Sequence, residues 1–333
     1  MRRLLSTIAA MAAAGIIIPA AAAGPVAKAA VAPPRFGLRL VDVPVSDVHN
    51  PRGLRYIIDY LPPGTVIHRR ILIQSQEPRT GHFTFYPDAA RIRNGTFVGD
   101  TGHTRSELTT WITVQHRALT LQPQASVMDM VTIKVPRTAT RGEHYGVIWV
   151  QQVARARPGH GIAVREVSRV GIRIYLAVGR GGAPPTRFAI SSIAGHRSSD
   201  GRPLLTAHVR NTGGRAVDLS GTAGLSEGPG GTTAGPFRAQ QALTLAPGQS
   251  GTVSFAPGRR LPAGPWLARI TLVSGLTKVS ASATIDFSGH LPGAAWLSTA
   301  AMIGGGGLGI AGITLFTVWA RRRRGLQAAG ELA

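Results

Sequence analysis

Residues 294–320 carry no ionisable side chain, and Arg321, Arg322, Arg323 and Arg324 follow at once. As a helix rising about 1.5 Å per residue, that run would be about 40 Å long. A hydrocarbon core is roughly 30 Å thick, so the segment can cross a bilayer with room to tilt. Four arginines abutting an apolar run are hard to translocate, and an excess of Lys and Arg marks the cytoplasmic side. Trp296 and Trp319 stand near the two ends of the run, where indole favours the headgroup layer. The sequence therefore predicts one transmembrane helix over 294–320 and a basic cytoplasmic tail over 321–333. Ala301, Gly305 and Gly309 recur at every fourth position within the span. Small residues at that spacing let two helices approach closely, which points to a homodimer through the membrane.

The other end reads as an export signal. Met1-Arg2-Arg3 precedes an apolar stretch over 4–18, and Ala21-Ala22-Ala23-Gly24 supplies small residues for cleavage after Ala23. Basic, apolar and small-residue regions in that order form a secretory signal peptide over 1–23. Left uncleaved, the segment would be a second span. Either way the residues between the two apolar ends are exported, with 24–35 a disordered lead-in rich in Ala, Pro and Val. The chain has no cysteine, so disulfides, thiolate metal sites and a cysteine nucleophile are excluded. Apolar packing alone must hold an exported body long enough for two ordinary domains.

That body is cationic. The whole chain has 37 Lys+Arg against 15 Asp+Glu, and removing the charges of the two termini leaves a large positive excess. Nucleic acid does not meet an exported, tethered surface. Anionic wall polymers and lipid headgroups are the acidic partners within its reach. The competing account is compositional: arginine far outnumbers lysine and Gly and Ala abound, as a GC-rich genome would produce.

From Phe36 onward apolar and polar residues alternate at period two, with turn residues between the runs. Strands are expected at 36–43, 55–61, 65–74, 82–86, 111–114, 118–121, 128–135, 145–153 and 164–178. A polar inserted loop with a short helix is expected over 88–110. A Gly/Pro linker over 179–186 separates this first domain, 36–178, from a second, 187–288, which shows seven more runs. The expected fold is all-β, two tandem immunoglobulin-like antiparallel β-sandwiches plus the C-terminal transmembrane helix. A weak internal echo supports two like units: in each, a small turn rich in Pro, Ala and Gly precedes an apolar strand carrying a tryptophan, Trp149 in one and Trp266 in the other.

Phe36-Gly37-Leu38-Arg39, a hairpin over Tyr56…Pro63-Gly64, the strand into Gln74, and Val135-Pro136…Gly142-Glu143-His144-Tyr145-Gly146-Val147-Ile148 resemble the peptidoglycan-binding domain of the WxL-interacting cell-surface proteins. The likeness covers about 36–178, and the layout of signal, two sandwiches, one span and a basic tail matches along the chain. It implies binding of peptidoglycan. The second domain departs from that family, with Asn211-Thr212-Gly213 and Leu261-Pro262-Ala263-Gly264 closer to a generic surface-adhesion repeat. Gln74-Ser75 stands where such first domains end the strand with Asn.

Signals of chemistry are weak. Gly224-Leu225-Ser226-Glu227-Gly228 matches a nucleophile elbow, but that motif needs a strand–turn–helix, and Pro229-Gly230-Gly231 is a poor helix start. Gly304-x-Gly306-x-x-Gly309 lies inside the span, where no strand precedes it. The histidines are scattered without metal-ligand spacing, and no carboxylate pair is nominated for glycoside hydrolysis. No enzyme, metal or cofactor is expected. Glu143, His144 and Tyr145 form a candidate ligand site, set against a sheet corner in which the polar pair satisfies backbone groups and the ring packs. Arg165, Arg169 and Arg173, at even separations, would share one strand face and with Arg69, Arg70, Arg91 and Arg93 line a basic surface. The expected function is a membrane-anchored bacterial surface protein whose sandwiches bind peptidoglycan, another anionic wall polymer or a secreted surface protein. The alternative is a non-catalytic accessory subunit of a membrane complex, with the sandwiches as spacers.

Overall fold

Alternating sequences pay their burial only when two sheets face each other, because successive strand side chains point to opposite sides. The computed structural model describes residues 34–153 and 166–287, and their regular secondary structure is almost all strand. The signal segment, the lead-in up to residue 33, Arg165, and the span and tail with Trp296, Gly305, Gly309, Trp319 and Arg321–Arg324 lie outside the described residues. Among the described residues no helix is long and apolar enough to cross a membrane.

The first sandwich comprises β1 (Phe36–Leu40), β2 (Ile57–Leu61), β3 (Val66–Ser75), β4 (Gly81–Arg93), β5 (Thr96–Gly99), β6 (Ile112–Val114), β7 (Ala118–Leu121), β8 (Ser126–Lys134), β9 (Gly142–Val153) and β10 (Val167–Val178). One sheet runs β1-β3-β8-β6. The other runs β2-β10-β9-β4-β5, with β7 on the start of β4. Ile71, Ile73, Val131 and Ile133 of the first sheet meet Phe85, Ile148, Val150 and Ile174 of the second, all fully buried. One short helix, α1 (Glu107–Trp111), inserts Leu108 and Trp111 into that core. Ser106 caps it: Thr109 N–H donates to the Ser106 hydroxyl, and Ser106 N–H donates to the Thr109 hydroxyl.

Three expectations need correction. Tyr56…Pro63-Gly64 is not a hairpin, since β2 and β3 belong to different sheets; the corner at Gly64, with φ of 90°, hands the chain from one sheet to the other. The sandwich is not wholly antiparallel, because the edge strand β2 pairs in parallel with β10. Residues 88–93 continue β4 instead of opening a loop, and turn at Asn94-Gly95 into β5. Asn-Gly is a strong hairpin signal, but the arginine-rich polarity around it masks the alternation.

The second sandwich comprises β11 (Phe188–Arg197), β12 (Pro203–Asn211), β13 (Val217–Gly228), β14 (Thr232–Arg238), β15 (Leu243–Leu245), β16 (Ser250–Phe255), β17 (Pro265–Ser274) and β18 (Thr277–Asp286). Its sheets are β11-β12-β16 and β14-β13-β17-β18, with β15 pairing the start of β13. Leu205, Val209, Phe255, Trp266, Ile270 and Leu272 fill the space between them. Buried Asn211 staples the β12–β13 turn, donating to the Arg215 and Leu245 carbonyls at 2.8 and 2.9 Å and accepting from Gly213 N–H at 2.9 Å. Ser226 lies within β13, and a further strand, not a helix, follows the turn, so no nucleophile elbow forms. The sequence echo has no common packing role: Trp266 is in the core, whereas Trp149 lies half-buried on an outer face across Gly171.

Core substitutions should register strongly, since no disulfide backs up the packing. Phe85→Ala should lower the unfolding free energy by about 3–5 kcal/mol in urea titration of the full chain; a loss under about 1 kcal/mol would mean the sheets do not meet around that ring.

Candidate functional site

The residues singled out at 143–145 begin β9, and the structure sends them in different directions. Glu143 faces the second sandwich. Its Oε2 accepts the Tyr145 hydroxyl and the Ala216 N–H, each at 2.7 Å. Burial pushes the Glu143 carboxyl above the usual carboxylate range, against the opposing pull of those hydrogen bonds and of Arg52 and Arg215. Tyr145 packs its ring edge-on to Phe97 and Tyr175, and burial with the adjacent Glu143 charge drives its hydroxyl pKa upward. His144 points elsewhere: its ring meets Trp111 at 4.9 Å and Nε2 lies 3.0 Å from the accepting Thr140 carbonyl. The triplet therefore does not converge on one ligand.

The predicted basic surface is dispersed as well. Arg69 points inward from β3 to Asp59 between the two sheets. Arg70 and Arg91 pair with Asp42 and Asp100. Arg169 and Arg173 do share the outer face of β10, but Arg169 Nε donates to Gln151 at 2.6 Å and Arg173 is drawn into the junction between the sandwiches. There Asp218 of β13 collects donors from both sandwiches. Arg52 Nε reaches its Oδ2 at 2.8 Å; Tyr175 and Thr244 hydroxyls reach Oδ1 at 3.0 and 2.7 Å, with Arg173 at 3.4 Å. Arg52 also donates to the Ala216 carbonyl at 2.9 Å and lies over the Tyr175 ring, while Arg173 lies over Phe97 and Tyr56. Ile58, Phe97, Tyr175 and Ala216 form a small apolar core around this network. Asp218, Arg52, Tyr175 and Arg173 are thus engaged with one another across the junction, which makes it a fastening between the sandwiches.

An open site lies along β4 instead. Its edge is paired by β7 only up to Thr84 and by β5 only from Ala90. Between those pairings a groove of about 660 Å³ runs to β6, lined in part by Tyr86, His103, Arg105, Thr113 and Arg117. Behind the lining, buried Asp88 pins the connection: its carboxylate accepts the N–H groups of Ala89, His103 and Thr104. That clamp holds His103 at φ of 57° with its ring 3.9 Å from Tyr86, centroid to centroid. Tyr86 is fixed in turn by its hydroxyl, which donates to Gln151 at 2.9 Å. Among the described residues the Arg105 and Arg117 guanidiniums make no hydrogen bond or ion pair, both are exposed, and no lining residue is acidic. Such a groove offers the exposed His103 ring, backed by buried Tyr86, and two uncommitted cations. Sequence reading missed it because residues 84–117 scatter these groups over a strand, a loop and a helix flank. Among the described residues no group of His, Asp and Glu side chains is placed to hold a metal ion.

No family model matches the chain, and no curated protein matches it. Solved structures that resemble it include a chain of the Salmonella enterica SafA pilin–SafB chaperone complex, at 10% identity and TM-score 0.41, covering 76% of this chain and 98% of that one. The Pseudomonas aeruginosa CupB2 chaperone aligns at 9% identity and TM-score 0.37 over 69% and 97% of the two chains. The E. coli chaperone DraB aligns at 12% and 0.38 over 68% and 94%. Likeness at this level carries no argument about partner or activity.

Removing the hub should be costly. Asp218→Ala leaves Arg52 and Arg173 without their counter-charge and should destabilise the chain by about 3–5 kcal/mol. Glu143→Gln should act differently. Because the folded pKa of Glu143 is raised, its ionised form penalises folding at neutral pH, and this penalty fades as pH falls through the folded value toward about 4.3. The Gln variant should therefore match or exceed wild-type stability at pH 7, and the difference between the two, read by urea titration, should shrink on acidification. A wild type that outlasts the variant more as pH rises would reverse the assignment.

Proposed function

We propose that the chain is a non-catalytic, extracytoplasmic binding protein, tethered by its C-terminal end, whose first sandwich engages peptidoglycan or another anionic wall polymer along the β4 groove. The observation that carries this reading is the groove's chemistry: two unengaged arginines beside a clamped Tyr86–His103 pair, with no lining carboxylate. Polymer carboxylates or phosphates would meet Arg105 and Arg117 as charge-assisted hydrogen bonds, while the exposed His103 ring, backed by buried Tyr86, offers a face to a sugar. Elsewhere Asp59, Asp42, Asp100 and Asp200 are tied to Arg69, Arg70, Arg91 and Arg202 in ion pairs, and the excess of basic over acidic residues keeps the surface potential positive. The resemblance of residues 36–178 to a peptidoglycan-binding domain agrees with this, although the quoted 143–148 motif starts at the junction and not in the groove.

The accessory-spacer reading draws on a different observation, the Asp218 network that fastens one sandwich to the next. Retention on purified wall sacculi separates the two. The full chain should be retained at physiological salt, and retention should weaken toward about 1 M salt, where screening shortens to roughly 3 Å. Arg105→Glu with Arg117→Glu should lower the apparent affinity at least about tenfold by replacing attraction with repulsion. No retention of the wild type, or equal retention of the double variant, would remove the groove from the account.

A further inference from the structure

A second cleft has the opposite chemistry. It measures about 500 Å³ and lies where the Asn94-Gly95 tip of the β4–β5 hairpin meets residues 240–243 and the outer face of β16. That volume lies within the usual span of small-molecule sites, roughly 300–1,000 Å³. Not one of its lining residues is charged, in a chain with formal net charge +22. Amides and hydroxyls dominate instead: Asn94, Thr96, Gln240, Gln241, Thr252 and Ser254. Among the described residues, none of these six side chains makes a hydrogen bond within the protein. Their backbones, by contrast, are fixed. Gln240 N–H donates to the Ser254 carbonyl at 2.8 Å and Thr244 N–H to the Gly95 carbonyl at 2.8 Å. Gly95, at φ of 72°, sits directly on the Leu243 side chain, and an added Cβ would approach Leu243 Cδ1 to 2.4 Å.

We infer that this cleft is a binding site for a neutral oligosaccharide. Carboxamides present donors and acceptors side by side, and hydroxyls present both on one atom. Vicinal sugar hydroxyls have that same double character. Leu243 and Ala242 supply a small apolar floor for the C–H face of a ring. A charged glycan would find no counter-ion here, and a peptide would find no deep side-chain pocket in a lining this polar. The site needs both sandwiches, since Asn94, Gly95 and Thr96 come from the first and the remaining residues from the second. Ligand bound across the seam would therefore also strengthen the attachment between them. This inference does not depend on the β4 groove or on any anionic partner.

The test uses the full chain in a polyoxyethylene detergent, so that no sugar headgroup competes. Maltotetraose and tetra-N-acetylchitotetraose are titrated as probes by calorimetry, with the thermal transition followed in parallel. At least one should bind with a dissociation constant of about 1 mM or tighter, unchanged by added salt, and should raise the transition temperature. Gln240→Ala with Gln241→Ala changes only exposed side chains without internal bonds, so folding should persist. It should weaken binding about tenfold or more, as expected when several ligand hydrogen bonds are lost together. Arg105→Glu with Arg117→Glu should leave saccharide binding intact, which distinguishes this site from the groove. The inference fails if neither saccharide binds, if the Gln240/Gln241 variant binds as wild type does, or if a neutral Ser/Gly/Asn peptide binds the cleft in their place.

Discussion

One carboxylate holds the two sandwiches together. Asp218 takes hydrogen bonds from Tyr175 and Thr244 and from the guanidiniums of Arg52 and Arg173, close to the full acceptor capacity of a carboxylate. A buried charge is tolerable when it is paired and hydrogen-bonded. Here the pairing is drawn from loops and strands distant in sequence, so the carboxylate is satisfied only when the junction is assembled. Conformational specificity, more than net stability, is what such a network supplies. The linker adds to it: Gly214 N–H donates to the Pro185 carbonyl, and Gly213 leaves no room for a Cβ beside Pro185 and Arg187. At its other end Gly179 N–H donates to the Leu61 carbonyl, so backbone hydrogen bonds hold the Gly/Pro linker at both ends.

The same scarcity of acids shapes the surface. Asp88 is spent on three backbone N–H groups, and Glu143 on Tyr145 and Ala216. Asp129 accepts from Gln115 N–H and contacts His116. With several carboxylates used inside or in local pairs, arginines such as Arg105 and Arg117 face water unpaired among the described residues. Positive potential follows from the excess of basic over acidic residues, 37 Lys+Arg against 15 Asp+Glu, whatever evolutionary bias supplied the arginines. The compositional and functional accounts are not rivals at this level, because a genome-driven excess still creates a field that attracts polyanions.

What the sequence made legible was the part governed by local periodicity. The all-β sandwich character and most strands follow from alternation and turn residues. Topology was harder, because pairing is set by contacts far apart in the chain: nothing local says that β2 joins β10 in parallel or that Pro62-Pro63-Gly64 changes sheets. Direction failed for the arginines for a related reason. Even spacing correctly put Arg169 and Arg173 on one face, but only the neighbouring sandwich decides that one end of that face is covered. Arg69 and Arg70 are adjacent, so the pleat sends one inward and the other outward, a separation the doublet Arg-Arg conceals. Glu143, His144 and Tyr145 diverge by the same rule, with Glu143 and Tyr145 on the junction side and His144 opposite.

Both clefts arise where sheet pairing stops. The β4 groove occupies the gap between two partial partners, and the neutral cleft sits where a hairpin tip abuts a loop of the next sandwich. Their chemistry differs because of who supplies the lining. Residues 103–117 contribute arginines on a connection pinned by Asp88, whereas the seam is lined by turn amides and the small hydroxyls of a strand's outer face. Fixed backbone with uncommitted side chains is a costly arrangement to leave idle only when the groups are buried; at an exposed seam water satisfies them. Selectivity there must then come from geometry, since each ligand hydrogen bond replaces one to water for a small net gain. The rigidity imposed by Asp218 across the junction is what gives that geometry meaning, because side chains from two sandwiches can present one pattern only if the sandwiches keep one orientation.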